Sequence, residues 1–137
     1  MEIKLGCVLL VDDDRATNFL HERLLNSLDC TEKIVTCLDA VAALRFLTTK
    51  DDTGFPQPDL VLLDINMPGM NGWEFLDEYD KLKDGQKARL VIVMVTTSLN
   101  PDDLERAKKR GISGFLNKPL KKQDIENILR ANFPDNY

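Results

Sequence analysis

Acidic side chains at two places in this chain, and a lysine far from both, have the makings of a site for a divalent cation and a phosphoryl group. Asp12-Asp13-Asp14 follow the apolar run 7–11, and Asp64 follows the apolar run 60–63. Thr96 comes directly after the run 90–95, and Lys118 stands two residues beyond Gly114-Phe115-Leu116. Carboxylates crowded together repel, so a converging set raises a pKa or binds a cation. Oxygen-only donors favour Mg2+ or Ca2+ over softer metals. Acids drawn from separate segments exclude a calcium loop of the helix–loop–helix kind. Mg2+ takes one or two carboxylates and keeps room for a phosphate oxygen, which leaves Asp64 open as a nucleophile. Lys118 offers a point charge to phosphate, and the Thr96 hydroxyl offers a hydrogen bond. Cation, ammonium and hydroxyl together neutralise a transferred phosphoryl group, which is most of what that reaction needs.

Those residues meet only if the elements before them form one sheet. Short apolar runs alternate with helical patterns about five times, which reads as βα units around a parallel sheet. The strands fall at 7–11, 33–37, 60–63, 90–95 and 114–116. The first, third and fourth are apolar at every residue, as required when helices cover both faces. Helical stripes are expected from Leu20, Leu24 and Leu28 beside Leu25, and from Val41, Leu44 and Leu47 flanked by Ala40 and Ala43, with Phe46 at the edge. Further stripes come from Phe75, Leu76, Tyr79 and Leu82, and from Ile125, Ile128, Leu129 and Phe133. Asn100-Pro101-Asp102-Asp103 opens the fourth helix with a cap, a proline and acids at the positive dipole end, and Gly111 ends it. The expected fold is a three-layer αβα sandwich, in which ligands bind at the carboxyl ends of the strands.

Composition narrows the classes. The chain has 137 residues, 43% hydrophobic and 30% charged, with net charge −5, which suits one soluble domain that buries its own core. An acidic balance lacks the footprint of a nucleic-acid binder; Lys108-Lys109-Arg110 is explained by the negative end of a helix. No run approaches the ~20 apolar residues of a membrane span and no secretory signal opens the chain, so a cytoplasmic location is expected. Cys7, Cys30 and Cys37 lack metal-ligand spacing, and Cys7 and Cys37, in apolar or strand-like surroundings, read as packed thiols. His21, alone in a helical pattern, reads as a surface or boundary residue. The stretch 49–58 is an exposed loop of open role.

Each site residue has a plain structural role as well. Asp14 suits an N-cap near Ala16; Thr96, Thr97, Ser98 and Lys118-Pro119 suit turns; Phe115 suits a core. Matching groups at four separate strand ends argue against coincidence. Together the segments resemble the receiver domain of two-component response regulators. They are Val8-Leu9-Leu10-Val11-Asp12-Asp13-Asp14, Asp59-Leu60-Val61-Leu62-Leu63-Asp64-Ile65-Asn66-Met67-Pro68-Gly69-Met70-Asn71-Gly72, Val93-Met94-Val95-Thr96, and Gly111-Ile112-Ser113-Gly114-Phe115-Leu116-Asn117-Lys118-Pro119-Leu120. They stand in family order over essentially the whole chain.

The resemblance implies a flavodoxin-like sheet of order 2-1-3-4-5 in a single receiver domain, 1–137 with a core of about 6–133. It makes Asp64 the phospho-acceptor, fed by a phosphohistidine on a sensor histidine kinase or a histidine phosphotransfer protein. Mg2+ (or Mn2+) would be held by Asp12, Asp13, Asp64 and the Asn66 backbone carbonyl, with Asp13 the more direct ligand. Lys118 would contact the phosphate, its peptide bond to Pro119 would be cis, Thr96 would supply the switch hydroxyl, and Phe115 would be the switch aromatic. Readout would use the fourth helix, fifth strand and fifth helix. Thr97 is bulkier than the small residue common after the switch hydroxyl, which with Asn66 bears on the lifetime of the phosphorylated form.

A phospho-acceptor of this kind is consumed rather than turned over, so no enzyme is expected beyond self-phosphorylation and self-dephosphorylation. An aspartyl phosphohydrolase of the haloacid-dehalogenase type would place Asp-x-Asp after the first strand. A flavin carrier would need a phosphate cradle where Asp12-Asp13-Asp14 repel it. A receiver that works without phosphate would lack part of the set, and nothing evident is missing. Residues 134–137 are too short for an output domain, so the signal is expected to leave by protein contact or phosphorelay. Trp73, after Gly72 at a helix start, is expected near the surface.

Overall fold

The computed structural model describes residues 5–87, 91–97 and 100–133. Leu90, Ser98 and residues 134–137 lie outside them. Apolar runs that satisfy their backbone only through neighbours pair into five parallel strands: β1 (Leu5–Val11), β2 (Thr31–Cys37), β3 (Leu60–Asp64), β4 (Val91–Thr96) and β5 (Gly114–Asn117), in the order β2-β1-β3-β4-β5. The helices between them are α1 (Arg15–Leu28), α2 (Ala40–Thr48), α3 (Gly72–Asp80), α4 (Pro101–Arg110) and α5 (Lys122–Asn132), with a 3-10 turn at Asp84–Gln86. This is the flavodoxin-like sandwich. Alternate residues of the central strands feed two cores. Leu9, Val11, Val61 and Leu63 pack with α2, α3 and Ala107 of α4; Val8, Leu10, Leu60, Leu62, Val93 and Val95 pack with α1 and α5.

Local chemistry starts each helix. Asp14 caps α1 through the Ala16 N–H at 2.9 Å, and Asp39 caps α2 through Ala42 at 2.7 Å. Asn71 and Glu74 form a capping box on α3. Asn100 caps α4, which carries Pro101 in its first turn and ends at Gly111 with φ 77°. Two stripes differ from the periodic reading. In α1 the buried residues are Asn18, His21 and Leu25, while Leu20 is 55% exposed; the first half of α1 lies over the polar end of β1, so its inward face is polar there. In α2 the buried residues are Ala40, Ala43 and Leu47, with Val41 turned out to solvent. Alanines let that helix settle close to the sheet. The stripes of α3 and α5 lie as their spacing requires.

Gly72 marks the tightest approach between helix and site. A Cβ there would lie 2.7 Å from the Asp64 carbonyl oxygen and 2.9 Å from Ile65 Cα, and backbone cannot swing aside. Gly72→Ala is therefore expected to cost about 1–3 kcal/mol. The check is a urea midpoint that falls while the slope stays constant; an unchanged midpoint would refute the crowding.

Candidate functional site

Parallel pairing aligns the ends of β1, β3 and β4. Val11 pairs with Leu63, and Asp64 with Val95. The residues just beyond these ends therefore share one rim. Ligand oxygens of Asp12, Asp13 and Asp64 lie within 4.8 Å of one another, Asp12 and Asp64 buried and Asp13 exposed. The Lys118 ammonium enters from β5, 2.7 Å from Asp12 Oδ2 and 3.2 Å from Asp64 Oδ1. Lys118 and Pro119 are joined by a cis peptide bond.

The supports are main-chain bonds. Asp12 donates its N–H to the Cys37 carbonyl at 3.1 Å, and its Oδ1 accepts the Asp14 N–H at 3.0 Å. Asn18 donates its side-chain amide to the Asp12 carbonyl at 3.0 Å, tying α1 to the acidic loop. The N–H of Asn66 reaches Asp64 Oδ1 at 3.3 Å. Thr96 is 1% exposed at the end of β4, and its carbonyl accepts the Lys118 N–H at 2.6 Å. Phe115, opposite Met94 in register, packs half-buried against the core that contains Trp73 and Ala107. Thr97 is exposed and lines a cleft of about 180 Å³ with Thr17, Leu20, His21, Lys118 and Pro119.

The charges are strongly coupled. Burial, then the Asp12 charge, pushes the Asp64 carboxyl up to about 6, against the lowering effect of Lys118. Burial opposes the Lys118 charge, but hydrogen bonding and attraction to Asp12 and Asp64 outweigh it and raise its pKa. A buried carboxylate held above its ordinary value is one that a second cation would relieve. The donor set is all oxygen, and Asp13 gives it an opening to water, so the residues fit a hard divalent ion.

Three placements differ from the sequence reading. His21 is 5% exposed rather than at a boundary, and its Nε2 accepts the Leu120 N–H at 3.4 Å. Burial holds its pKa down, with Asp12 opposing and Lys118 adding to the effect. Trp73 is 4% exposed; α4 covers it, with Asp103 Oδ1 accepting its indole N–H at 3.3 Å and the Arg106 guanidinium 4.6 Å from its ring centre. Asn18 was not singled out by sequence. Asn18, His21 and Leu25 at i, i+3 and i+7 form a helical face in their own right, and that spacing is the signal for the first two. The thiols of Cys7, Cys30 and Cys37 are buried, and burial drives that of Cys37 to about 11, so they pack as small apolar groups.

Comparison with known proteins decides the class. The response regulator receiver domain model matches residues 8–130. The chain belongs to that family. Receiver domains are switches in two-component signalling rather than turnover enzymes, and they bind Mg2+ or Mn2+ at an acidic pocket. They work with histidine kinases or phosphotransfer proteins and downstream targets. This receiver domain is 34% identical over 123 residues to the probable methanogenesis regulatory protein FilR2 of Methanothrix harundinacea, covering 89% of the chain and 77% of that protein. It is 30% identical over 125 residues to response regulator Rcp1 of Synechocystis, covering 90% and 84%. A solved Mn(2+)-bound form of Rcp1 superposes with TM-score 0.71 at 27% identity, covering 92% of each chain. A two-component response regulator from Cytophaga hutchinsonii reaches TM-score 0.83 at 27% identity, covering 93% of this receiver and 96% of that one. Among the described residues, no helix is long and apolar enough to cross a membrane.

Proposed function

We propose that this receiver domain accepts a phosphoryl group on Asp64 from a phosphohistidine and passes the signal on by protein contact. A carboxylate oxygen of Asp64 bonds to phosphorus as the donor's P–N bond breaks, giving an acyl phosphate and releasing the imidazole. Lys118 neutralises charge on the group that arrives, and the Thr96 hydroxyl takes one of its oxygens. Asp12, Asp13, Asp64 and the Asn66 carbonyl hold Mg2+ or Mn2+, which supplies positive charge to the phosphoryl oxygens when bound. Loss of the Lys118 contact to Asp12, in exchange for one to phosphate, then biases the β4 and β5 ends, and Phe115 follows Thr96. The face built by α4, β5 and α5 serves a protein target. On this reading residues 6–133 form one switch unit that works in the cytoplasm.

The observation that carries this reading is the meeting of Asp64 with Asp12, Asp13 and Lys118 within 4.8 Å and 3.2 Å respectively. Intact-mass spectrometry after incubation with acetyl phosphate and Mg2+ tests it. The expected result is a gain of one phosphoryl unit, absent with EDTA and absent in Asp64→Asn. A gain that persists in Asp64→Asn would falsify the acceptor.

A further inference from the structure

His21 is the chain's one histidine and has no part in the chemistry above, yet it is buried beside it. It projects from the inward face of α1, one turn after Asn18, which holds the Asp12 carbonyl at 3.0 Å. A leucine there would avoid the desolvation that a buried imidazole pays. The imidazole instead makes a bond that no aliphatic chain can make: Nε2 accepts the Leu120 N–H at 3.4 Å. That bond sets the neutral tautomer, with the proton on Nδ1.

The position of Leu120 gives the bond its consequence. Pro119 has no N–H, so Leu120 carries the first main-chain donor after Lys118. On the other side, the Lys118 N–H donates to the Thr96 carbonyl at 2.6 Å. The turn that bears Lys118 is thus pinned to β4 before the lysine and to α1 after it. With only the first pin, the turn pivots about Thr96, and a small rotation there is magnified at the end of the lysine's flexible stem. With both, Nζ stays 3.2 Å from Asp64 Oδ1.

We propose that His21 is a positioning residue for phosphoryl transfer: its neutral imidazole fixes the 118–120 turn so that Lys118 stays over Asp64. This rests on Asp64 being the acceptor. The test uses the full chain, with acetyl phosphate and Mg2+ as probe, and compares His21→Leu with His21→Gln, whose amide oxygen restores an acceptor. In His21→Leu the initial rate of phosphoryl uptake is expected to fall about tenfold, with Mg2+ affinity unchanged. His21→Gln is expected within about threefold of the parent rate. His21→Asn, too short to reach Leu120, is expected to be as slow as the leucine variant and stands in for it if that variant does not fold. Long-range 1H–15N spectra without acetyl phosphate should place the imidazole proton on Nδ1.

Uptake at the parent rate in His21→Leu overturns the proposal, as does a glutamine variant no faster than the non-accepting ones, or a proton on Nε2. Failure of the parent chain itself to take up phosphoryl strikes the acceptor reading and this proposal together. An Nδ1–H tautomer in that case marks the pin as structural only.

Discussion

Asp64→Asn is expected to stabilise the metal-free protein by about 3 kcal/mol at pH 8, although it removes the proposed phospho-acceptor. The sign follows from the Asp64 carboxyl, which burial and then Asp12 push from 3.8 up to about 6. Below the ordinary value both folded and unfolded chains hold the proton, and no penalty exists. As pH rises through about 4 to about 6, the unfolded chain releases its proton while the folded one retains it, so folding stability declines. Above that window the full penalty stands, a large share of a total that is roughly 5–15 kcal/mol for a domain. An amide keeps the shape and the hydrogen bonds without the charge. Thermal melts in EDTA should therefore converge near pH 4 and separate toward pH 8, the variant melting roughly 5–10 °C higher. Added Mg2+ should narrow the gap by stabilising the parent chain. Melting curves that run parallel across the whole pH range would reject the assignment of strain to this carboxylate.

Lys118→Met should act in the opposite direction and as strongly. The Lys118, Asp12 and Asp64 side chains are at most 10% exposed, and the ammonium touches both carboxylates. Removing one partner of a buried pair leaves uncompensated charge, which costs about 3–5 kcal/mol. The ammonium lowers the Asp64 pKa, so its loss drives that pKa higher still. The deficit should accordingly grow as pH rises and shrink on acidification. A divalent ion at a hundred times its dissociation constant returns about 2.7 kcal/mol, so Mg2+ should rescue much of the loss. Calorimetry at pH 5 and pH 8, with and without Mg2+, reads all three effects. A variant that melts with the parent in EDTA at pH 8 would show that Lys118 is not the countercharge.

Why Asp12, Asp13, Asp64 and Lys118 are legible in sequence is a matter of topology: each follows an apolar strand, and a parallel sheet brings strand ends of one sense to one rim. The strand order needed the family resemblance, since β1 and β3 must be neighbours and local pattern alone does not say so. The inward faces of α1 and α2 were less legible. Leucine periodicity marked Leu20 and Val41, both exposed, because hydrophobicity alone identifies a face only where the opposing surface is apolar. Near the rim that surface is polar, and Asn18 and His21 are buried there by the hydrogen bonds they make. The burial of Trp73 is illegible for a related reason: what covers it is α4, and nothing in the residues around 73 announces a helix thirty residues further on.

That cover has its own consequence. Arg106 lies over Trp73, and Arg110 reaches back to Asp77 at 3.1 Å and Asp80 at 2.7 Å, so α4 is fastened to α3 along its length. The start of α3 is in turn held by the Gly72 N–H on the Ile65 carbonyl at 2.8 Å, immediately beneath Asp64. Acidic rim and outer helix are therefore linked by a continuous chain of contacts. On the proposed reading, a target that grips α4 from outside senses the chemical state of Asp64 through it, and by reciprocity alters the readiness of Asp64 to be charged by the same free energy. Listener and source set one another.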